Sequence, residues 1–356
     1  MTTVPESPET VVERIGEELA AGLGVVLTGL GVRCGLWAAL RGAGPLTAAE
    51  AARRTGLIEP YVREWLRAQA AGSYLSYDPD GDRFALPEPV AVALLDGPCG
   101  AMVDACLDMF GSITGGLPAF QEAFRAGRGF GWHERDVAHW RGTDALTRVL
   151  LPPGILAAAV SALDGVPDAL RAGSSGADVG CGYGAPSIMV AEAFPSARVT
   201  GFDYHDTSVD AARTAAAAAG VADRVRFEVA TATDFPGGGY ALVLFVDSLH
   251  DLGDPVGALA HARAALAPGG AVLLVEPPGG DRVADNLTPV GRMFYAVSTL
   301  VCTPNAVSQD VGAPSGPLGT LAGEPRLAEV ARAAGFRQVR RVPTEAPMNL
   351  VLELRG

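Results

Sequence analysis

The spacing of apolar positions changes character partway along the chain, and that change divides it. Residues 46–77, LTAAEAARRTGLIEPYVREWLRAQAAGSYLSY, carry apolar side chains at helical intervals on both sides of Gly56 and end in an extended apolar run. This predicts two helices joined by a tight turn. Thr47, with Glu50 three residues on, forms a capping box for the first helix, and Pro60 suits the first turn of the second. The following YDPDGDRFAL predicts a hairpin, because Asp-Pro-Asp-Gly supplies turn geometry between two apolar-aromatic strands. Together they read as a winged helix. Residues 99–165 keep a helical period, broken at GSITGG and RAGRGFGW, and read as helices bridging two domains. From Gly176 the period shortens to strands alternating with helices. The strands are ADVG, ARVTGFD, RVRFEVA, YALVLFVD and GGAVLLVEP, with AARTAAAAAG and VGALAHARAALAPGG as helices. Such alternation calls for an α/β fold, a parallel sheet covered on both faces. The last two extended stretches, GFRQVRRVP and NLVLEL, have no helix between them and predict a terminal antiparallel hairpin. The boundaries expected are 1–98, 99–165 and 166–356.

Composition narrows the chemistry. With 356 residues, 49% of them apolar, the chain can bury a large core. Its net charge of −13 argues against attraction to nucleic acid or to an anionic membrane. All 27 basic residues are arginine. Without lysine there is no Schiff base with pyridoxal phosphate, no lysine nucleophile and no Walker lysine. Five scattered cysteines with no C-x-x-C pair, and five histidines with no paired spacing, offer neither a disulfide framework nor a metal site. The polar, acidic start MTTVPESPET lacks the cationic head of a secretory signal, and a cytoplasmic protein is expected. Leu19 to Leu40 has about the length of a membrane span but contains Arg33 and glycines at 22, 24, 29, 31 and 35. It reads better as a buried or subunit-pairing helix.

The stretch ADVGCGYG puts Gly180, Gly182 and Gly184 directly after a strand that ends at Asp178. A tight turn there lies at the carboxyl edge of the sheet, where open α/β folds bind ligands, and glycine lets the backbone approach closely. The third glycine comes one position too early for a dinucleotide fingerprint. The next strand ends GFD at Asp203, 25 residues after Asp178, where a carboxylate can bridge ribose hydroxyls. ATATDFP follows the third strand, FVDSLHDLGDP the fourth, and LAPGG introduces the fifth. In order and spacing these signals resemble class I S-adenosylmethionine-dependent methyltransferases. Over about nine tenths of its length the chain is similar to bacterial small-molecule methyltransferases with an amino-terminal winged helix, a group akin to the caffeic-acid-type O-methyltransferases. YVREWL, GFDYH, LHDLGDP and STLVCTPN are the blocks that carry the likeness.

The resemblance implies a Rossmann-like seven-stranded sheet behind a mainly helical winged-helix dimerisation domain, with S-adenosyl-L-methionine as cofactor and a small molecule as acceptor. By that likeness Gly180, Gly182 and Gly184 line the cofactor, and Asp203 takes the ribose. Asp178 helps fix the turn and the amino group, and Tyr204 lies against the adenine. Asp247, at the end of the fourth strand, joins the cofactor set. The first polar position of the adenine loop, usually acidic, is Thr231 here, so either Asp234 accepts the adenine amino group or that bond is weak. Tyr183 stands where relatives often have histidine. His250 sits where the O-methyltransferases keep a general base, and its imidazole titrates in a suitable range. Its alternative is a structural histidine. Asp251 need not face the ring, and Glu276 or Asp281 is a candidate to orient it. His133 either closes over cofactor or acceptor or lies on the surface. Phe294, Tyr295, Ser298 and Cys302 follow the fifth strand at roughly helical spacing, as pocket wall or as core. Oxygen is favoured as the methylated atom, with carbon or nitrogen transfer, a non-methylating enzyme of the same fold, and a winged-helix regulator as alternatives.

Overall fold

The computed structural model describes residues 7–309, 312, 316–345 and 348–356. Two compact units are found, Met1–Gly111 with Arg141–Val149, and Ser112–Trp140 with Leu150–Gly356.

The first unit opens with α1 (Pro8–Arg33) and α2 (Leu36–Leu40). Ser7 caps α1 by accepting from the Thr10 amide. The carboxyl third of α1 is embedded: the Leu27 carbonyl accepts from the Trp65 indole at 2.8 Å and the Thr28 carbonyl from the Trp37 indole at 3.0 Å. Gly31 is required there, since a Cβ would come within 2.4 Å of Trp65 Cζ2 and 2.6 Å of Trp37 Nε1. The opposite face of α1 carries Val12, Ile15, Leu19, Leu23, Val26 and Leu30 on the surface along its length, Val12 at 69% and Leu19 at 64% exposure. By length and composition α1 could cross a membrane. The winged helix follows as α3 (Ala48–Thr55), α4 (Glu59–Ala71) and the antiparallel hairpin β1 (Ser76–Asp78) with β2 (Arg83–Ala85). The Thr47–Glu50 capping box forms as expected, and Gly56 ends α3 at φ +72°. Trp37, Leu66 and Phe84 centre its core. Next come α5 (Glu88–Ala91) and α6 (Cys99–Gly115); α7 (Leu117–Ala126), α8 (Val137–Leu150) and α9 (Pro153–Ser161) complete the helices up to residue 165, which the two units share.

In the second unit α10 (Val166–Arg171) leads into a seven-stranded sheet. Its elements in chain order are β3 (Ser175–Val179), α11 (Ala185–Ala193), β4 (Arg198–Asp203), α12 (Asp206–Ala218), β5 (Val225–Val229), β6 (Tyr240–Val246), α13 (Pro255–Ala265) and β7 (Leu266–Glu276). After these come α14 (Pro289–Val297), α15 (Thr303–Gln309), α16 (Gly323–Ala333), β8 (Gln338–Arg341) and β9 (Leu350–Arg355). The spatial order is β5-β4-β3-β6-β7-β9-β8, parallel except for β9, which runs antiparallel to both its neighbours. The terminal hairpin thus inserts its second strand beside β7. LAPGG belongs to β7, not to the helix before it, because α13 stops at Ala265. Every residue of β6 is buried, as a strand covered on both faces requires. The strand order reverses between β3 and β6, and at that switch the crevice outside the strand ends is the ligand position of such sheets.

Candidate active site

The turn after β3 has three glycines in the left-handed region, at φ +71°, +51° and +82° for Gly180, Gly182 and Gly184. Their surroundings differ. A Cβ at Gly180 would come within 2.7 Å of Ser248 and one at Gly184 within 2.5 Å of the Phe227 ring, whereas one at Gly182 meets nothing within 4 Å. Gly180 and Gly184 let the turn pack on the protein; Gly182 leaves open space. The Gly182 amide donates to Asp203 Oδ2 and the His205 amide to Asp203 Oδ1, both at 2.9 Å. Burial raises the Asp203 carboxyl while these amides oppose the rise. Below the turn, Asp178 accepts from the Ser187 hydroxyl at 2.7 Å through Oδ2, while its buried Oδ1 has no partner among the described residues. Burial pushes the Asp178 carboxyl up to about 6. A buried carboxylate oxygen without a donor beside an open glycine turn fits a ligand with a cationic or hydrogen-bonding group.

Beyond β4, Tyr204 is half-buried. Its hydroxyl accepts from the Trp132 amide at 3.1 Å and donates to Asn305 Oδ1 at 3.3 Å. Trp132 comes from the segment between α7 and α8, and its amide also reaches Asn305 Oδ1 at 2.9 Å. His133 is exposed with its ring 6.1 Å from that of Tyr204, so the segment lies along the Tyr204 edge. Thr231 and Asp234 are exposed in the turn after β5, with the Asp234 amide donating to the Thr231 carbonyl at 3.3 Å. Asp247 follows β6 at φ +48°, a conformation disfavoured for a residue with a Cβ, and burial near Glu276 pushes its carboxyl up to about 7.

His250 lies in the short helical turn after β6 and is 3% exposed. Its Nδ1 is hydrogen-bonded to Glu276 Oε2, and Glu276 Oε1 accepts from the Leu249 amide at 3.0 Å. Glu276, the last residue of β7, is therefore the carboxylate that orients the ring; Asp281 is exposed and takes no part. Adjacency in sequence does not require Asp251 to face the ring, but it does: its Oδ1 lies 3.5 Å from His250 Nε2. Burial alone would depress the imidazole, but Glu276 and Asp251 hold it well above the usual value. Cys302 is buried against the same ring, and burial pushes its thiol up to about 11.

The four residues expected along the acceptor wall separate. Phe294 is buried in α14 and lines a cavity of about 430 Å³ with Pro278, Gly280, Asn286 and Arg341. The Tyr295 hydroxyl accepts from Asn286 Nδ2 at 3.4 Å. Ser298 accepts from the Thr320 amide at 3.1 Å, a bond that ties two segments together. Only Cys302 reaches His250. Two residues escaped the sequence reading. Asn305 is the polar end of TPN and binds three partners. Arg135, 5% exposed, donates to the carbonyls of Leu300 and Val301 at 2.9 and 3.3 Å, with the rings of Phe120 and Phe130 at 5.4 and 5.0 Å. It holds the π-helical turn Ser298–Cys302. A buried arginine gives no sequence signal distinguishing it from a surface one.

Residues 177–272 match the family model "Methyltransferase domain", and residues 21–95 match "Rv2258c-like winged HTH domain". The chain carries a methyltransferase domain preceded by a winged helix-turn-helix domain. A curated relative, 27-O-demethylrifamycin SV methyltransferase of Amycolatopsis mediterranei (strain S699), is 36% identical over 139 residues, covering 37% of this chain and 51% of the relative. The match thus spans about half the relative's length. Among solved structures, PigF with SAH superposes with a TM-score of 0.71 at 20% identity, covering 99% of this chain and 100% of that one. The mitomycin 7-O-methyltransferase MmcR superposes with a TM-score of 0.67 at 20% identity, covering 98% of each chain. At these identities the likeness is one of fold. The methyltransferase domain therefore contains the glycine turn, Asp203 and the His250 turn.

Proposed function

We propose that the protein transfers a methyl group from S-adenosyl-L-methionine to an oxygen of a small-molecule acceptor in natural-product metabolism. The observation that carries the oxygen assignment is the buried pair of His250 and Glu276 at the strand ends. A hydroxyl acceptor must lose a proton as it attacks, and a phenol with a pKa of roughly 10 keeps that proton at neutral pH. Glu276 fixes the His250 tautomer and leaves Nε2 as the proton acceptor. Because Glu276 and Asp251 raise the imidazole, its neutral, basic form grows in above the usual histidine range, and the rate is expected to rise with pH there. The cofactor supplies an electrophilic methyl on a sulfonium. Asp203 suits the ribose and the free Oδ1 of Asp178 suits the amino group, while Gly182 leaves room for the ligand; Tyr204, Thr231, Asp234 and Asp247 follow the carboxyl ends of β4, β5 and β6, at the same edge of the sheet. Holding nucleophile, methyl and sulfur in line then supplies most of the rate.

The curated relative's name, a methyltransferase for a demethylrifamycin, supports the acceptor class. The exposed apolar stripe of α1 supports a homodimer. Its spacings of three and four residues suit a helix pairing with a copy of itself. A DNA-binding role gains little, because Arg63 and Arg67 on α4 are paired with Glu59 and Glu64. Incubation with methyl-labelled cofactor and a panel of phenolic, amine and enol acceptors, read by mass spectrometry, tests the activity. Label on nitrogen or carbon alone would overturn the oxygen assignment. Sedimentation at micromolar concentration should give twice 36.5 kDa; a monomer would remove the dimer.

A further inference from the structure

His250, Asp251 and Cys302 bring three atoms able to bind a metal within 4.8 Å of one another, and His250 and Cys302 are buried. The spacing of histidines along the chain could not reveal this, because Cys302 comes from the separate turn Ser298–Cys302, later in the chain than β7. Bonds of roughly 2.0–2.3 Å to a tetrahedral ion put neighbouring ligand atoms roughly 3.3–3.8 Å apart. The 3.5 Å between His250 Nε2 and Asp251 Oδ1 is already such an edge. That same Oδ1 is buried and meets no hydrogen bond of normal geometry among the described residues; it faces the imidazole and the Cys302 thiol, the two groups that would share an ion with it. On the other side of the ring Glu276 holds Nδ1, the carboxylate–histidine arrangement that directs Nε2 at a metal. One imidazole, one carboxylate and one thiolate match the ligand softness of zinc and neutralise its two charges, with a fourth position left for water.

We propose that this cluster binds a zinc-class divalent ion through His250 Nε2, Asp251 Oδ1 and Cys302 Sγ, and that the bound ion switches methyl transfer off. On binding, the Cys302 thiol and the His250 imidazolium each give a proton to solvent, and the thiolate and the freed Nε2 ligate the ion. The Nε2 lone pair enters the metal bond and no longer accepts the acceptor's proton. Binding stands on the geometry of the cluster; the switching rests on the reading of His250 as the base.

The test starts from full-length protein freed of metal with a chelator and titrated with Co2+. One equivalent is expected to bind with a thiolate-to-cobalt charge-transfer band, which Zn2+ then removes by displacement. Cys302→Ser should lose the band. Asp251→Asn should keep it but weaken Co2+ binding at least tenfold. One equivalent of Zn2+ should lower turnover at least tenfold, reversibly on adding chelator and with cofactor affinity unchanged. Absence of the band in the unmodified protein, or its survival in Cys302→Ser, overturns the site. A band without inhibition, or a rate that rises with Zn2+, overturns the switch alone. If the metal-free His250→Ala variant keeps its turnover, the base reading has failed, and the cobalt band still decides the site.

Discussion

At the end of β3 the chain passes through three left-handed glycines within five residues, while at the ends of β6 and β7 it presents His250 and Glu276, with Cys302 arriving later from a separate turn. The first region is made of backbone. Its amides, its open space at Gly182 and its carboxylates at the strand ends all follow from local sequence. The second region is made of side chains that lie 26 residues apart in the one hydrogen-bonded pair and meet only in the folded sheet. A backbone site can receive a ligand shared by many enzymes, because it depends on few side chains. A side-chain site is free to vary with the acceptor.

The largest expected effect breaks the second region and spares the first. His250→Ala should lower turnover by roughly 10² to 10⁴, the range for losing a positioned base, with cofactor affinity by calorimetry nearly intact. Retained turnover with the true acceptor would make His250 structural, and the acceptor an atom that needs no deprotonation. Glu276→Gln should follow with a smaller loss, in turnover and not in cofactor binding.

The glycines sharpen the other side of the comparison. Gly184→Ala meets the Phe227 ring at 2.5 Å in a left-handed conformation, and should cost the fold about 2–4 kcal/mol. Gly182→Ala meets no neighbour, so it should cost about 1–2 kcal/mol of backbone strain while weakening cofactor binding more than its small drop in Tm implies. Equal effects of the two on Tm and on affinity would show that the three glycines act alike.

Legibility in the sequence follows the same division. The Thr47–Glu50 box, the Asp-Pro-Asp-Gly hairpin, the buried run of β6 and the glycine turn are local patterns, and each was readable because its cause lies within a few residues. The last two strands were readable as a hairpin, but not the insertion of β9 next to β7, because neighbour choice in a sheet is a tertiary matter. The sequence left open whether Asp251 faces the ring, because adjacent residues need not face alike; the short helical turn after β6 brings its oxygen to Nε2. Arg135 and Asn305 were invisible for the same reason, their roles set by carbonyls and hydroxyls from distant segments.

Acidity gives a third measurement, on the first region alone. The Asp178 carboxyl rises to about 6 from 3.8 through burial, so the folded protein favours its protonated form. Its contribution to stability is complete below about pH 4 and is lost as pH rises through about 6, by up to about 3 kcal/mol for a shift of this size. A cationic group of the cofactor beside the free Oδ1 would reverse that loss. The increment in Tm from saturating cofactor is therefore expected to be larger at pH 7.5 than at pH 5. In Asp178→Asn the increment should be smaller and flat with pH; a pH-independent increment in the unmodified protein would remove the cationic contact.

The smallest expected effect concerns Asp203. Both its oxygens already accept an amide, from Gly182 and His205, so the carboxylate ties the glycine turn to the end of β4 before any ligand arrives. Each oxygen keeps a second lone pair, which is what a ribose hydroxyl needs. Asp203→Ala removes the proposed ribose contact and frees two amides. Cofactor affinity should fall at least tenfold, about 1.4 kcal/mol. Asp203→Asn presents one oxygen and one NH2 group, and the NH2 cannot accept from either amide. It should therefore lie close to Asp203→Ala in affinity despite its similar shape. Calorimetry on folded protein decides this: unchanged affinity in Asp203→Ala would take the ribose away from this carboxylate. An Asn variant as tight as the original would mean that shape and not charge holds the turn.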